Sequence, residues 1–178
     1  MDYEGWCWPG AAYYPNFLNP QAQEYYASLY SLDTFNVAWT WNDMDEPSLF
    51  NGPEITMSKD SLHYGRWEHR EVHNMYGMAH LQCMFSGHLK RSNGQLRPFI
   101  LARAFSAGSQ RFAAAWTGDN MANWGHLQAS SPVVLLLGVA GITFTAADVG
   151  GFFKNPDVQL LIRWYQVRQL DFHLRHFH

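Results

Sequence analysis

Along this chain, β-prone segments alternate with helix-patterned ones, and that alternation restricts the fold more than any other feature. Phe35 to Trp41, Pro98 to Ala102, Phe112 to Trp116 and Ile142 to Ala146 are short runs rich in aromatic, aliphatic and β-branched residues, and they predict strands. Between them, Trp67 to about Leu89 places Val72, Met75, Tyr76, Ala79, Leu81, Met84 and Phe85 on an apolar helical face, and Leu127 to Leu137 predicts a second helix. Two Asn-Pro pairs, Asn19-Pro20 and Asn155-Pro156, have the form of a capping Asn followed by a first-turn Pro. The first predicts a helix reaching Leu32, and the second a helix carrying Leu160, Leu161, Trp164 and Tyr165. Upstream, Trp6-Cys7-Trp8-Pro9-Gly10 opens what its turn formers predict to be a loop.

Strands that alternate with helices predict parallel β/α units and an α/β fold. Charged and polar residues follow the carboxyl ends of the strands, as on the active face of a (β/α)8 TIM barrel. Such a barrel takes about 250 residues, so the 178 here predict a partial barrel forming one domain. The formal charge of −3, with Lys and Arg dispersed, gives no case for nucleic acid. The longest apolar stretch, Pro132 to Phe144, is interrupted by glycines and short of the ~20 residues that span a bilayer, which predicts a soluble chain and no membrane partner. Met1-Asp2-Tyr3-Glu4-Gly5 is acidic and lacks the form of a signal peptide. Cys7 and Cys83 could pair or stay free, and two cysteines do not identify a redox compartment.

Chemistry concentrates at two strand ends. Trp39-Thr40-Trp41-Asn42-Asp43-Met44-Asp45-Glu46-Pro47 puts three carboxylates after a β-prone run, and Trp116-Thr117-Gly118-Asp119-Asn120 supplies another. Two carboxylates in aromatic surroundings are what glycoside hydrolysis needs, one to attack or stabilise a sugar cation and one to protonate the leaving oxygen. An aromatic content of 16%, with 8 Trp, suits a sugar cleft as well as an ordinary core.

These motifs resemble glycoside hydrolase family 31. The resemblance rests on WNDMDEPSLFNGPE, HYGRWEHREVHN, RPFILARAF, AGSQRF, WTGDN and ADVGGFFKNP, spread from Trp6 to about Gln166. It implies that the predicted strands correspond to barrel strands four to seven, preceded by an aromatic N-terminal loop, and that the chain is a fragment of a catalytic barrel. It further implies that Asp43 is the nucleophile and Asp119 the general acid/base. Asp43 would act as an ionised carboxylate forming a covalent glycosyl-enzyme, whereas apolar neighbours such as Trp116 would keep the proton on Asp119. The resemblance places Arg103 and Asp148 at sugar hydroxyls, and Trp8, Trp41, Met44, Phe50, Trp116 and Phe152 on the pocket wall. His176, in a loosely matching tail, is a further sugar contact. Taken singly, a strand-end Asp most often caps a turn, Asp119 and Asn120 are helix caps, and each aromatic is core.

The chain departs from the family pattern at four positions. Asp45 stands where the motif carries Asn, and a like charge so close disfavours an ionised nucleophile unless a cation compensates. Thr145-Ala146 replaces Cys-Gly ahead of Asp148, and Asn16 replaces an Asp. Gly150 and Gly151 permit a tight backbone near Asp148.

The implied function is a retaining α-glucosidase of the N-glycan-trimming type. The likeness implies an oligosaccharide substrate, a noncatalytic β subunit, no cofactor and a location in the endoplasmic reticulum lumen. The isolated 178 residues are expected to be inactive. A noncatalytic remnant, or a carbohydrate-binding fragment of the same fold, is the alternative. A metal-dependent hydrolase using His69 and His73, which share a helical face, lacks the HExxH pattern and a third ligand at useful spacing.

Overall fold

The computed structural model describes residues 3–52 and 54–168, and the chain divides into two compact units, Met1–Ala113 and Ala114–His178. Unit 1 begins with a hairpin in place of the expected loop. Strands β1 (Tyr3–Cys7) and β2 (Gly10–Tyr14) pair antiparallel from Tyr3↔Tyr14 to Cys7↔Gly10. The Trp8-Pro9 connection, which reads as loop punctuation, is the hairpin turn, and Gly10 leaves it at φ 92°, where a side chain is strained.

Helix α1 (Pro20–Ser28) starts as predicted, with the Asn19 side chain accepting from the Gln21 N–H and Pro20 in the first turn. It stops at Ser28, earlier than Leu32. Strand β3 is limited to Thr40–Asn42. The preceding segment fails to join because Arg91 donates to the carbonyls of Phe35 and Val37, using acceptors a neighbouring strand would need. Helix α2 (His69–Arg91) is entered through a capping box of Glu68 and Glu71. Strand β4 (Ile100–Ala102) runs parallel to β3 in the register Thr40↔Ile100 to Asn42↔Ala102.

Two apolar clusters hold unit 1 together. Phe17, Leu49, Met57, Tyr76, Ala79 and Cys83 pack the hairpin side, and Tyr30, Leu81, Met84, Ile100 and Ala102 pack α2 against β4. Cys7 and Cys83 are both free thiols.

Unit 2 contains β5 (Ala114–Trp116), α3 (Trp124–Val139), β6 (Thr145–Ala146) and α4 (Val158–Arg168). Strands β5 and β6 are parallel, both shorter than expected, with Ala115↔Thr145 and Trp116↔Ala146 in register. The cap of α3 is Asn123, whose side chain accepts from the His126 N–H, so neither Asp119 nor Asn120 caps it. At α4 the Asn-Pro reading is displaced by two residues, since Asp157 accepts from the Leu160 N–H through its carboxylate and the helix begins at Val158. Leu127, Ala147, Val149, Leu160 and Trp164 form the core of this unit. Among the described residues no helix is long and apolar enough to cross a membrane.

Candidate active site

In unit 1 the backbone turns sharply as it leaves β3. Met44 takes φ 57°, a left-handed conformation that strains a non-glycine residue, and its N–H thereby points back to donate to Asp43 Oδ1 at 2.8 Å. Arg103, one residue past β4, brings Nη1 within 3.1 Å of the same oxygen. Its Nε donates to Glu46 Oε1 at 2.8 Å and its Nη2 to Glu46 Oε2 at 3.3 Å. One guanidinium therefore ties together two of the three carboxylates that follow β3. Both donors to Asp43 fall on Oδ1, and among the described residues Oδ2 takes no hydrogen bond or ion pair.

The third carboxylate is inside. Asp45 is 3% exposed, with Oδ1 accepting from the Ala104 N–H and Oδ2 from Asn42 Nδ2, each at 2.8 Å. Burial pushes its carboxyl up to about 7, opposed by the hydrogen bond from Ala104. The cation needed to offset its charge is Arg103, which also pulls against that rise.

A cavity of about 370 Å³ opens at Asp43 and is lined by Trp8, Met44, Asp45, Tyr14 and Tyr76 among others. The hairpin supplies its outer wall. Trp8 Nε1 donates to Met44 Sδ at 2.7 Å, and its ring meets Phe50 edge-on at 4.8 Å between centroids. The Phe50 N–H donates to the Trp6 carbonyl at 2.8 Å, which fastens the hairpin to the loop after β3. Trp8, at 78% exposed, and half-exposed Phe50 form an apolar platform at the rim rather than core. Asp43, Met44, Trp8, Phe50 and Arg103 are thus linked to one another in unit 1, whereas Trp41 is exposed on β3 and does not line this cavity.

Unit 2 carries its own set. Asp119 is exposed just beyond β5 and lines a cavity of about 260 Å³ with Thr117, Asn120, His126 and Ser130. Trp116 lies within β5 at 5% exposed. Asn120, which the sequence offers only as a cap, instead joins the two strand-end loops. Its carbonyl accepts from the Phe152 and Phe153 N–H groups at 2.7 and 3.0 Å, and its side chain donates to the Asp148 carbonyl at 3.2 Å. Gly150 and Gly151 have φ 83° and 90°, and a Cβ at Gly151 would lie 2.4 Å from the Ala122 backbone nitrogen, so this loop requires glycine. Phe152 is half-exposed. His176 falls outside the described residues.

The histidines form a hydrogen-bonded row. His63 Nε2 lies 3.0 Å from His69 Nδ1, and His69 Nε2 lies 2.8 Å from His73 Nδ1. His63, carried by a loop six residues upstream, was not visible as a partner in the helical spacing. Burial lowers His69 to about 4, favouring a neutral ring at the centre of the row. Among the described residues no group of three or more His, Cys, Asp or Glu is placed to hold a metal ion.

Parallel strands with carboxylates and an Arg just past their carboxyl ends, with α-helices following β3, β5 and β6, have the form of β/α-barrel units, in which chemistry sits at that end. Residues 1–175 match the model of the glycosyl hydrolases family 31 TIM-barrel domain, and the chain belongs to this family. It is 57% identical over 170 residues to human neutral alpha-glucosidase AB and 55% identical over 170 residues to a probable glucan 1,3-alpha-glucosidase of rice, in each case over 93% of this chain and 18% of the relative. Among solved structures it is similar to the ER glucosidase II complex of a catalytic subunit with the binding domain of a regulatory subunit, at 54% identity and TM-score 0.89 over 93% of this chain and 18% of that one. A Flavobacterium johnsoniae GH31 dextranase complexed with glucose matches at 27% identity and TM-score 0.80, over 93% of this chain and 22% of that one. The chain therefore spans about a fifth of the length of the relatives it matches.

Proposed function

We propose that this chain supplies the catalytic centre of a retaining α-glucosidase that removes terminal α-linked glucose by double displacement. The observation that carries the reading is the state of Asp43. Two donors hold Oδ1, so the carboxylate is fixed in orientation, while Oδ2 is unencumbered and the cavity opens beside it. A nucleophile needs that combination, because the attacking oxygen must be oriented without being spent on a hydrogen bond.

In this scheme Asp43 attacks the anomeric carbon and forms a glycosyl-enzyme as the aglycone leaves. Asp119 protonates the departing oxygen and then takes the proton from the water that releases glucose. Arg103 and Asp148 hold sugar hydroxyls, and Trp8, Met44 and Phe50 give the ring an apolar face. The likeness to ER glucosidase II extends the proposal to an N-glycan substrate, a noncatalytic regulatory partner and the endoplasmic reticulum lumen. The 178 residues act as part of a catalytic barrel, not as an enzyme alone.

Leaving-group dependence tests the assignment. Asp119→Asn is expected to cripple hydrolysis of α-glucosides with poor leaving groups and to spare activated aryl glucosides, which need little protonation. Asp43→Asn is expected to abolish turnover of both. Equal losses on the two substrate types for Asp119→Asn contradict its role as the acid.

A further inference from the structure

We propose that Asp45 is a positioning residue that locks the Asp43–Arg103 pair by bridging the ends of β3 and β4 through both carboxyl oxygens. The inference rests on the α-glucosidase reading of Asp43. Its geometric basis is that Asn42, which donates to Oδ2, immediately precedes Asp43, and Ala104, whose N–H donates to Oδ1, immediately follows Arg103. One side chain therefore sets the spacing between the two residues that meet at 3.1 Å. Helix α2 closes the back of the bridge. A Cβ on Gly77 would lie 2.7 Å from Ala104 Cβ and 3.0 Å from the Asp45 carbonyl, so the helix backbone presses on both sides of the joint.

Asn, the residue of the family pattern at this position, fills the same shape. Its carbonyl oxygen can take the Ala104 N–H, and Asn42 can turn its amide to accept from the new NH2 group. What Asn lacks is a charge. Asp45 contributes a carboxyl that changes ionisation near neutrality, and its charged neighbours are Glu46 on the same loop, which resists ionisation, and Arg103 beyond β4, which favours it. From α2 the shared cavity presents Tyr76, raised by burial, and His80, lowered to about 3, so both are neutral around pH 7. The other titratable groups lining it are Asp43, Cys7, Tyr13, Tyr14 and Tyr26. Ionising Asp45 adds a negative charge behind the nucleophile, which favours the positive charge that develops on the sugar. The site thereby gains a proton-linked step that an Asn at this position lacks.

The test compares Asp45→Asn and Asp45→Ala with the parent in the full-length protein, measuring kcat and KM for an aryl α-glucoside from pH 5 to 8. A carboxyl-carbon NMR titration of Asp45, assigned by difference against Asp45→Asn, runs alongside. The expected result is a severalfold step in kcat near pH 7 in the parent, absent from Asp45→Asn, which otherwise keeps its turnover. Asp45→Ala loses kcat on the order of a hundredfold with a smaller change in KM, the effect of a misplaced reacting group. Superimposable pH profiles for the parent and Asp45→Asn, or a carboxyl carbon that titrates in the ordinary Asp range, overturn the proposal. If the parent hydrolyses no α-glucoside, the α-glucosidase reading fails. The NMR experiment then decides the positioning role, which requires the Asp43 and Arg103 resonances to move with the titration of Asp45 and is overturned if they do not.

Discussion

Replacing Gly87 by Ala sets two effects of opposite sign against each other within one helix. Gly87 lies inside α2, where intrinsic propensity favours Ala by about 1 kcal/mol. The added Cβ, however, would meet the Ala27 carbonyl oxygen at 2.6 Å and Tyr30 Cβ at 2.8 Å. Ordinary contacts begin near 3.4 Å, so the overlap with Ala27 is roughly 0.8 Å, and the atom it strikes belongs to the backbone of α1 and cannot swing aside. Overpacking of that kind costs about 3 kcal/mol at the upper end of its range, leaving a net loss of about 2 kcal/mol. Gly138, in α3, is the matched control, because a Cβ there meets nothing within 4 Å. Gly138→Ala is expected to gain up to about 1 kcal/mol. The assay is urea unfolding of the full-length protein, with hydrogen exchange of peptides covering 69–91 and 124–139 to localise each change. A Gly87→Ala protein as stable as its parent would refute the claim that α1 and α2 are in backbone contact at this glycine.

Acid should weaken unit 1 through its buried imidazoles. His69 and His80 are lowered to about 4 and about 3, so an unfolded chain takes up protons first and the stability these residues contribute is lost as pH falls from about 6.5 toward those values. Unfolding at pH 7 and pH 4.5 measures the loss, and His69→Gln should flatten the acid limb; an unchanged midpoint between the two pH values contradicts it. The 178 residues expressed alone are expected to show no α-glucoside turnover, since a closed barrel takes about 250 residues and positions its reacting groups from several strands. Measurable hydrolysis by the isolated chain would defeat that expectation.

The α/β class and the strand-end carboxylates were legible because both follow from local pattern. Asn19 caps α1 through a bond two residues away, and the parallel pairs fall where aromatic and β-branched residues predict them. What stayed hidden depends on partners far along the chain. The Tyr3–Tyr14 hairpin contains no long alternating run, and its turn carries the Pro and Gly of a loop. The limit of β3 at Thr40 is imposed by Arg91, some fifty residues later. The role of Asp45 could not be read from its proximity to Asp43, since the side chain points inward to Ala104 and Asn42. His63 meets His69 only because the chain folds back before α2. Motif similarity supplied the roles proposed for Asp43, Asp119 and Arg103, while the strained turn at Met44 beside Asp43 had no sequence signal.

The central claim is that Asp43 is the nucleophile of a retaining α-glucosidase. Incubating the full-length protein with a slowly turned-over fluorinated α-glucosyl fluoride, then digesting it and mapping the glycosylated peptide by mass spectrometry, tests that claim most directly. The account predicts a single fluoroglucosyl adduct on Asp43, absent from Asp43→Asn. An adduct on another carboxylate, or hydrolysis of α-glucosides with no adduct formed, would contradict it.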